Sequence, residues 1–380
     1  MEVRPSPAPE ARRILDLARK DKAAAQEAVS ALPLDAQVAM VCEAPIARRG
    51  LLLELFPAPE DVIPLIPDAE LCFTVKGVGI DDASWILEYA TPSQIVASVD
   101  LDAWSGLEMN LVVLDQWITT LANASEAAVL RNLRAVDSEL MVRYLRGKVV
   151  VYLDPRDEEW QAPPGAQTLD GQFYTLALQQ SDDVAALIRA FRILFRDDYW
   201  LYYRLMQGAL WELDSDLEEW ALRWRSGRLE DLGFPAWDRA MQIYGYLRPD
   251  QRAELPAGPD PLDISDWHMP VWISDLPAAQ DSRHLVFRTI AELQDSERQA
   301  SFYAFIAISN KIAVADRMPL GEPETLPAAL ERAAEFTSRG LEFLAQENQI
   351  GAADVLRKVS LEHLFRVGAS LSDRPKATRE

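Results

Sequence analysis

The chain has 380 residues, 49% of them hydrophobic and 26% charged. That is the balance of a folded globular protein, long enough for two or three domains, and it excludes a chain disordered throughout. Sixty acidic residues against 38 basic ones leave a formal charge of −22, an average field that repels both a phosphate backbone and an anionic membrane surface, so no nucleic-acid partner is expected.

The opening MEVRPSPAPEARR carries no apolar signal core. No run in the chain approaches the roughly 18 apolar residues that span a bilayer, so no direct membrane insertion is expected. The two cysteines, Cys42 and Cys72, sit among apolar neighbours and offer neither a disulfide framework nor a CxxC spacing. These features lead to the expectation of a cytoplasmic protein.

A first helix is predicted from about Glu10 to Leu32, its weak apolar face made by Ile14, Leu17, Ala18, Ala25 and Val29. Short helix pairs follow, starting at Ala28, Leu51, Ile86 and Val129. They break at Pro33, at Pro57 with Pro59, at Thr91 with Pro92, and at Asp137 with Ser138. Proline suits a first helical turn, and Thr, Ser or Asp can accept the amide protons left open there. No pair can bury its apolar side alone, so neighbours must stack. The uneven spacing predicts an irregular, solenoid-like helical array over 1–146. Within it, CFTV before Gly77 and Gly79 reads as strand-like. The GxG there is a tight turn with an Asp cap, because Asp81 and Asp82 would repel a phosphate.

The pattern changes near Gly147. KVVVYL (Lys148–Leu153) and QFYTLAL (Gln172–Leu178) are predicted as paired strands, giving a small β-hairpin or sheet near residues 148–178 within a block 147–180. A tryptophan- and arginine-rich helical block covers 181–250, with Ser181 or Asp182 as its cap. Proline-rich irregular structure covers 251–281 and includes Trp267, His268 and Trp272. A last helical block covers 282–368, and a polar tail covers 369–380. The fold class is mainly α.

Residues Asp198–Leu247 hold five of the eleven tryptophans. On one helix Trp200 and Trp211 lie about 20° apart by the 3.6-residue period. Trp220 and Trp224, an i,i+4 pair, share a face. Tyr199, Trp200, Trp211, Trp220, Trp224, Arg225, Arg228 and Trp237 form the candidate interaction face, with Arg225 and Arg228 able to pair with Glu218 and Asp231. Aromatics of this size pack into cores as readily as they anchor interfaces, and both readings stand at this point.

Catalytic chemistry has little to work with. His268, His284 and His363 are scattered and lack a nucleophile's context. Zinc-like Cys and His spacings are missing. A calcium loop starting at Asp214 would need Gly at its sixth position and Glu at its twelfth, but Glu219 and Arg225 stand there. No catalytic residue, metal ligand or cofactor is assigned. The expected function is a non-enzymatic scaffold or adaptor with a protein partner. Two alternatives stay open. One is an enzyme or sensor for a small molecule or divalent cation, with a cleft near Asp154, Asp157 and Asp170. The other is a homo-oligomeric assembly.

Several segments carry a resemblance: YATPSQIVASVDLDAW, TLDGQFY, LEHLFRVG and the long stretch from RLMQGALWELDSDLEEW to AMQIYGYL. Together they resemble a bacterial family of unknown function over about residues 82–367. That likeness implies no activity and no site residues. The helix pairs of 28–146 are also similar in style to the cytosolic helical domain of magnesium transporters and to flagellar motor-switch repeats. The chain lacks the transporter's membrane part, so transport is not the expected function.

Overall fold

The computed structural model describes residues 7–179, 182–255 and 283–372. It is 69% helical, with small antiparallel sheets of two and three strands. The described residues up to Gly227 form one compact unit and those from Arg228 onward a second. The division falls inside a helix.

The first unit begins with α1 (Pro7–Ala18), α2 (Lys22–Ser30), α3 (Leu34–Glu43), α4 (Ile46–Leu53), α5 (Pro59–Val62), α6 (Asp68–Val78), α7 (Ser84–Leu87) and α8 (Pro92–Asp102). The helix expected over 10–32 is thus two helices. Asp21 ends the first and caps the second, accepting a bond from Ala24 N at 3.0 Å. CFTV is not a strand but the middle of α6, which closes at Gly79 with φ 103°. Its neighbour Gly77 lets α6 approach α4, since a β-carbon there would lie 2.5 Å from the Ile46 side chain. Thr91 and Gln94 form a full capping box ahead of α8, with Pro92 in the first turn as expected.

One buried and one part-buried ion pair lock this array. Arg49 of α4 meets Glu70 of α6 at 2.6 Å. Asp102 at the end of α8 takes Lys76 on one oxygen and the indole N–H of Trp117 on the other. Cys42 and Cys72 are buried, and neither is in a disulfide. Burial, reinforced by Glu70, pushes the Cys42 thiol up to about 12, which keeps it inert.

A short hairpin follows, β1 (Trp104–Ser105) and β2 (Glu108–Met109), turning at Gly106 with φ 66°. Two residues per strand are too few for the alternating pattern that marks a strand in sequence. Then come α9 (Leu111–Ala122), α10 (Glu126–Ala135) and α11 (Ser138–Lys148). The β element holds β3 (Val149–Leu153), β4 (Gln167–Thr168) and β5 (Phe173–Ala177) in the order β3-β5-β4. Val149 faces Ala177 and Leu153 faces Phe173, so the two expected strands pair antiparallel, with β4 added at the other edge. The unit continues with α12 (Asp182–Asp197), α13 (Tyr199–Trp211) and α14 (Asp214–Asp231). The expected cap Ser181 lies outside the described residues.

The second unit contains α15 (Trp237–Ala240), α16 (Leu285–Ala291), α17 (Asp295–Ala315), α18 (Thr325–Asn348), α19 (Ala352–Lys358) and α20 (Leu361–Ser372). Its centre is the crossing of α18 with α20. A β-carbon on Gly340 would come within 1.9 Å of Leu364 O, and one on Gly368 within 1.9 Å of Phe336 O. Only glycine allows the backbones this close. Ala329, Ala333, Leu341, Leu344, Leu364 and Phe365 are completely buried around them. Three bonds tie the stretch after α15 to this pair: Arg366 to Gly245 O, Leu247 N to Ser370 Oγ, and Asn348 to Ala253 O. Trp267, His268 and Trp272 lie outside the described residues. Helix α20 runs four residues past the expected boundary at 368.

Candidate interaction surface

Helix α13 starts on Asp198, whose carboxylate accepts from Leu201 N at 3.2 Å and from Arg134 at 2.6 Å. The Arg134 bond, helped by that amide, holds the Asp198 carboxyl below the usual range. The inner face of α13 is Tyr202, Leu205, Met206 and Gly208. Gly208 sets the spacing to α11, because a β-carbon there would meet Val142 at 2.6 Å. The outer face carries Trp200, 77% exposed, and Trp211, 68% exposed. Their eleven-residue separation places them about 16 Å apart along one stripe.

Trp200 is not an isolated ring. It packs edge-on against Tyr199 at 6.0 Å and Tyr203 at 6.3 Å. Tyr203 in turn meets the wholly buried Phe173 of β5 at 5.6 Å. A run of aromatic contacts therefore leads from the core of the β element to the surface. Burial pushes the Tyr202 hydroxyl above its ordinary value, so it stays neutral.

On α14 the inner positions are Leu217, Ala221 and Arg225. Trp220 and Trp224 lie on the outer side, 46% and 48% exposed, with ring centres 5.9 Å apart and planes 25° from parallel. The Arg223 guanidinium sits 5.2 Å from the Trp220 ring. Ion pairs fix the other flank of the helix to α11: Asp214 with Arg146 and Glu218 with Arg143, both at 3.0 Å. Arg204 of α13 reaches Glu212 at 2.7 Å and Glu139 at 3.5 Å.

Of the eight residues singled out in the sequence, five are exposed in the first unit: Tyr199, Trp200, Trp211, Trp220 and Trp224. Arg225 is a correction. It is 6% exposed and donates to Asp100 O at 2.7 Å and Gly106 O at 3.2 Å, with its guanidinium 5.0 Å from the Trp104 ring. It is an internal clamp on the β1–β2 hairpin, and its expected partner Glu218 pairs with Arg143 instead. Arg228 and Trp237 belong to the second unit and are half-buried. Arg317 lies over the Trp237 ring at 5.1 Å.

Sequence reasoning passed over Leu213, which is 63% exposed beside Trp211. A leucine between two helices, followed by Asp-Ser-Asp, was the available signal for an exposed turn. In the acidic run from Asp214 to Glu219, Asp216 and Glu219 have no basic partner among the described residues.

The other acidic candidates take turn hydrogen bonds, though the second carboxylate oxygen of Asp170 is buried with no partner among the described residues. Asp154 accepts from Arg156 N, Asp157 from Glu159 N, and Asp170 from both Gln172 N and Phe173 N, so all three shape turns of the β element. Among the described residues no group of His, Cys, Asp and Glu is arranged to hold a metal ion, and no helix is long and apolar enough to cross a membrane. His284 lies 3.0 Å from Glu331. Burial, then the Arg366 charge, lowers the His363 pKa.

A family model described as "Family of unknown function (DUF6178)" matches residues 26–374. No curated protein and no solved structure matches the chain.

Proposed function

The chain belongs to this family of unknown function, and we propose that it acts as a non-enzymatic cytoplasmic scaffold or adaptor that binds another protein through its helical surface. One observation carries the reading: Trp200, Trp211, Trp220 and Trp224 are displayed on the outer sides of α13 and α14 instead of filling the core. A buried tryptophan removes about 150–250 Å² from water, so leaving two of them more than two-thirds exposed and two nearly half exposed forgoes a large hydrophobic gain. Tryptophan, tyrosine and arginine are the residues that dominate binding energy at protein interfaces.

The helices that present these rings are held firmly. The Arg143–Glu218 and Arg146–Asp214 pairs tie α14 to α11, and Arg204–Glu139 ties α13 to α11. The mechanism is burial of aromatic surface on a rigid platform, with the surrounding charges selecting the partner. Two buried cysteines outside any disulfide fit a reducing compartment.

The test is capture by the full chain compared with a Trp200→Ala/Trp211→Ala/Trp224→Ala chain, after mild crosslinking in native lysate. A stoichiometric protein bound by the first and depleted about tenfold or more with the second is expected. Equal recovery by both chains, or no stoichiometric protein with either, overturns the reading.

A further inference from the structure

We propose that the tryptophan pair of α14 is the seat for an arginine- or lysine-bearing segment of a partner protein. This rests on the reading above that the aromatic surface docks a protein, and adds the chemistry of what docks there.

At 100° per residue, Asp216, Glu219, Trp220, Arg223, Trp224 and Gly227 fall along one side of the helix. All six are exposed, while Leu217, Ala221 and Arg225 on the other side are buried. An indole face attracts a cation within about 6 Å of its centre. Arg223 already lies 5.2 Å from the Trp220 ring, so this pair takes a guanidinium within its own chain. About half of each indole remains open.

Carboxylates stand beside the rings. Asp214 and Glu218 are neutralised by Arg146 and Arg143. The Asp216 carboxylate bonds only to the Ser215 hydroxyl among the described residues, and Glu219 has no basic partner among them. These two acids can each take a charge-assisted bond from an incoming cation. Space is available at the far end of the row, where a β-carbon on Gly227 would meet no atom within 4 Å.

Charge complementarity decides among occupants. The whole chain carries −22, so a second copy or an anionic membrane is repelled on approach. A basic segment is drawn in at long range and paired at short range.

The test titrates the full chain calorimetrically with two synthetic amphipathic helical peptides, one bearing arginines and one with every arginine replaced by glutamine. The arginine peptide is expected to bind at least about tenfold more tightly and to weaken steeply with added salt. Trp224→Ala is expected to weaken it about tenfold. Asp216→Asn/Glu219→Gln, which leaves both rings in place, is expected to weaken it about threefold or more. Circular dichroism checks that each variant folds. Equal binding of both peptides, no binding of either, or light scattering that shows a dimer dissolved by Trp224→Ala overturns the proposal. If Trp200→Ala/Trp211→Ala still abolishes partner capture while the arginine peptide ignores α14, this inference fails and the wider docking reading survives. If neither surface matters to capture, both fail.

Discussion

The guanidinium of Arg225 lies 5.0 Å from the centre of the Trp104 ring, and two of its nitrogens bond to the carbonyls of Asp100 and Gly106. One side chain of α14 thereby holds the turn of the β1–β2 hairpin against the end of α8. Truncating it leaves one buried and one part-buried carbonyl without these donors and an indole without its cation. Arg225→Ala is expected to cost about 3 kcal/mol in urea unfolding. Arg225→Lys should recover only part of that, since an ammonium cannot reach both carbonyls with a planar fork. A cost below about 1 kcal/mol for the alanine variant would remove Arg225 from the architecture.

Gly340→Ala and Gly368→Ala each put a methyl group into the opposite helix's backbone. Backbone cannot turn aside as a side chain can, so α18 and α20 must separate. We expect a loss of about 3 kcal/mol or more, with poor expression at elevated temperature. The opposite is expected at Gly147 and Gly227, which sit in α11 and α14 with open space around them. Alanine there should stabilise by about 0.5–1 kcal/mol through helix propensity. Thermal melts of the four single variants test the contrast.

Surface tryptophans and core tryptophans should separate cleanly by stability. Trp200→Ala and Trp211→Ala remove rings that water already reaches, and a change within about 1 kcal/mol is expected from each. Trp117→Ala deletes a fully buried ring whose N–H is held by Asp102. About 3–5 kcal/mol is expected there. Urea melts showing comparable losses at Trp200 and Trp117 would mean that the α13 rings serve folding.

His363 gives the second unit a pH dependence. Burial and the neighbouring Arg366 lower its folded pKa, against the smaller opposing effect of the Glu254 backbone. The folded state therefore takes up its proton later than the unfolded chain does as the pH falls. The stability linked to this histidine is complete above its unfolded value of about 6.5 and is lost as pH drops from there through the lowered folded value. Unfolding at pH values on either side of this window should show a steeper decline for the native chain than for His363→Gln. Identical slopes would show that His363 titrates alike in both states.

Much of the architecture was legible in local sequence. Thr91 with Pro92 marked α8, and the β-branched run at Val149 marked a strand whose partner began near Phe173. These features depend on neighbours a few residues away. What stayed hidden depends on distant ones. Asp21 splits the first helix because its side chain accepts from Ala24 N, a choice that an amphipathic pattern read over twenty residues smooths away. Arg225 looked like a rim charge because its carbonyl partners lie more than a hundred residues earlier in the chain. The tryptophans could be counted in advance, but their exposure could not. Position 221 faces inward while 220 and 224 face out, and only the packing of α14 decides that.

The contacts that run from Phe173 through Tyr203 to Tyr199 and Trp200 have an effect on how an encounter proceeds. A lone surface indole samples several rotamers, and a partner must freeze one of them. Here the neighbouring rings have narrowed that choice before anything arrives. On the proposed reading that Trp200 docks a partner, its contacts with Tyr199 and Tyr203 reduce the orientational freedom that docking must remove.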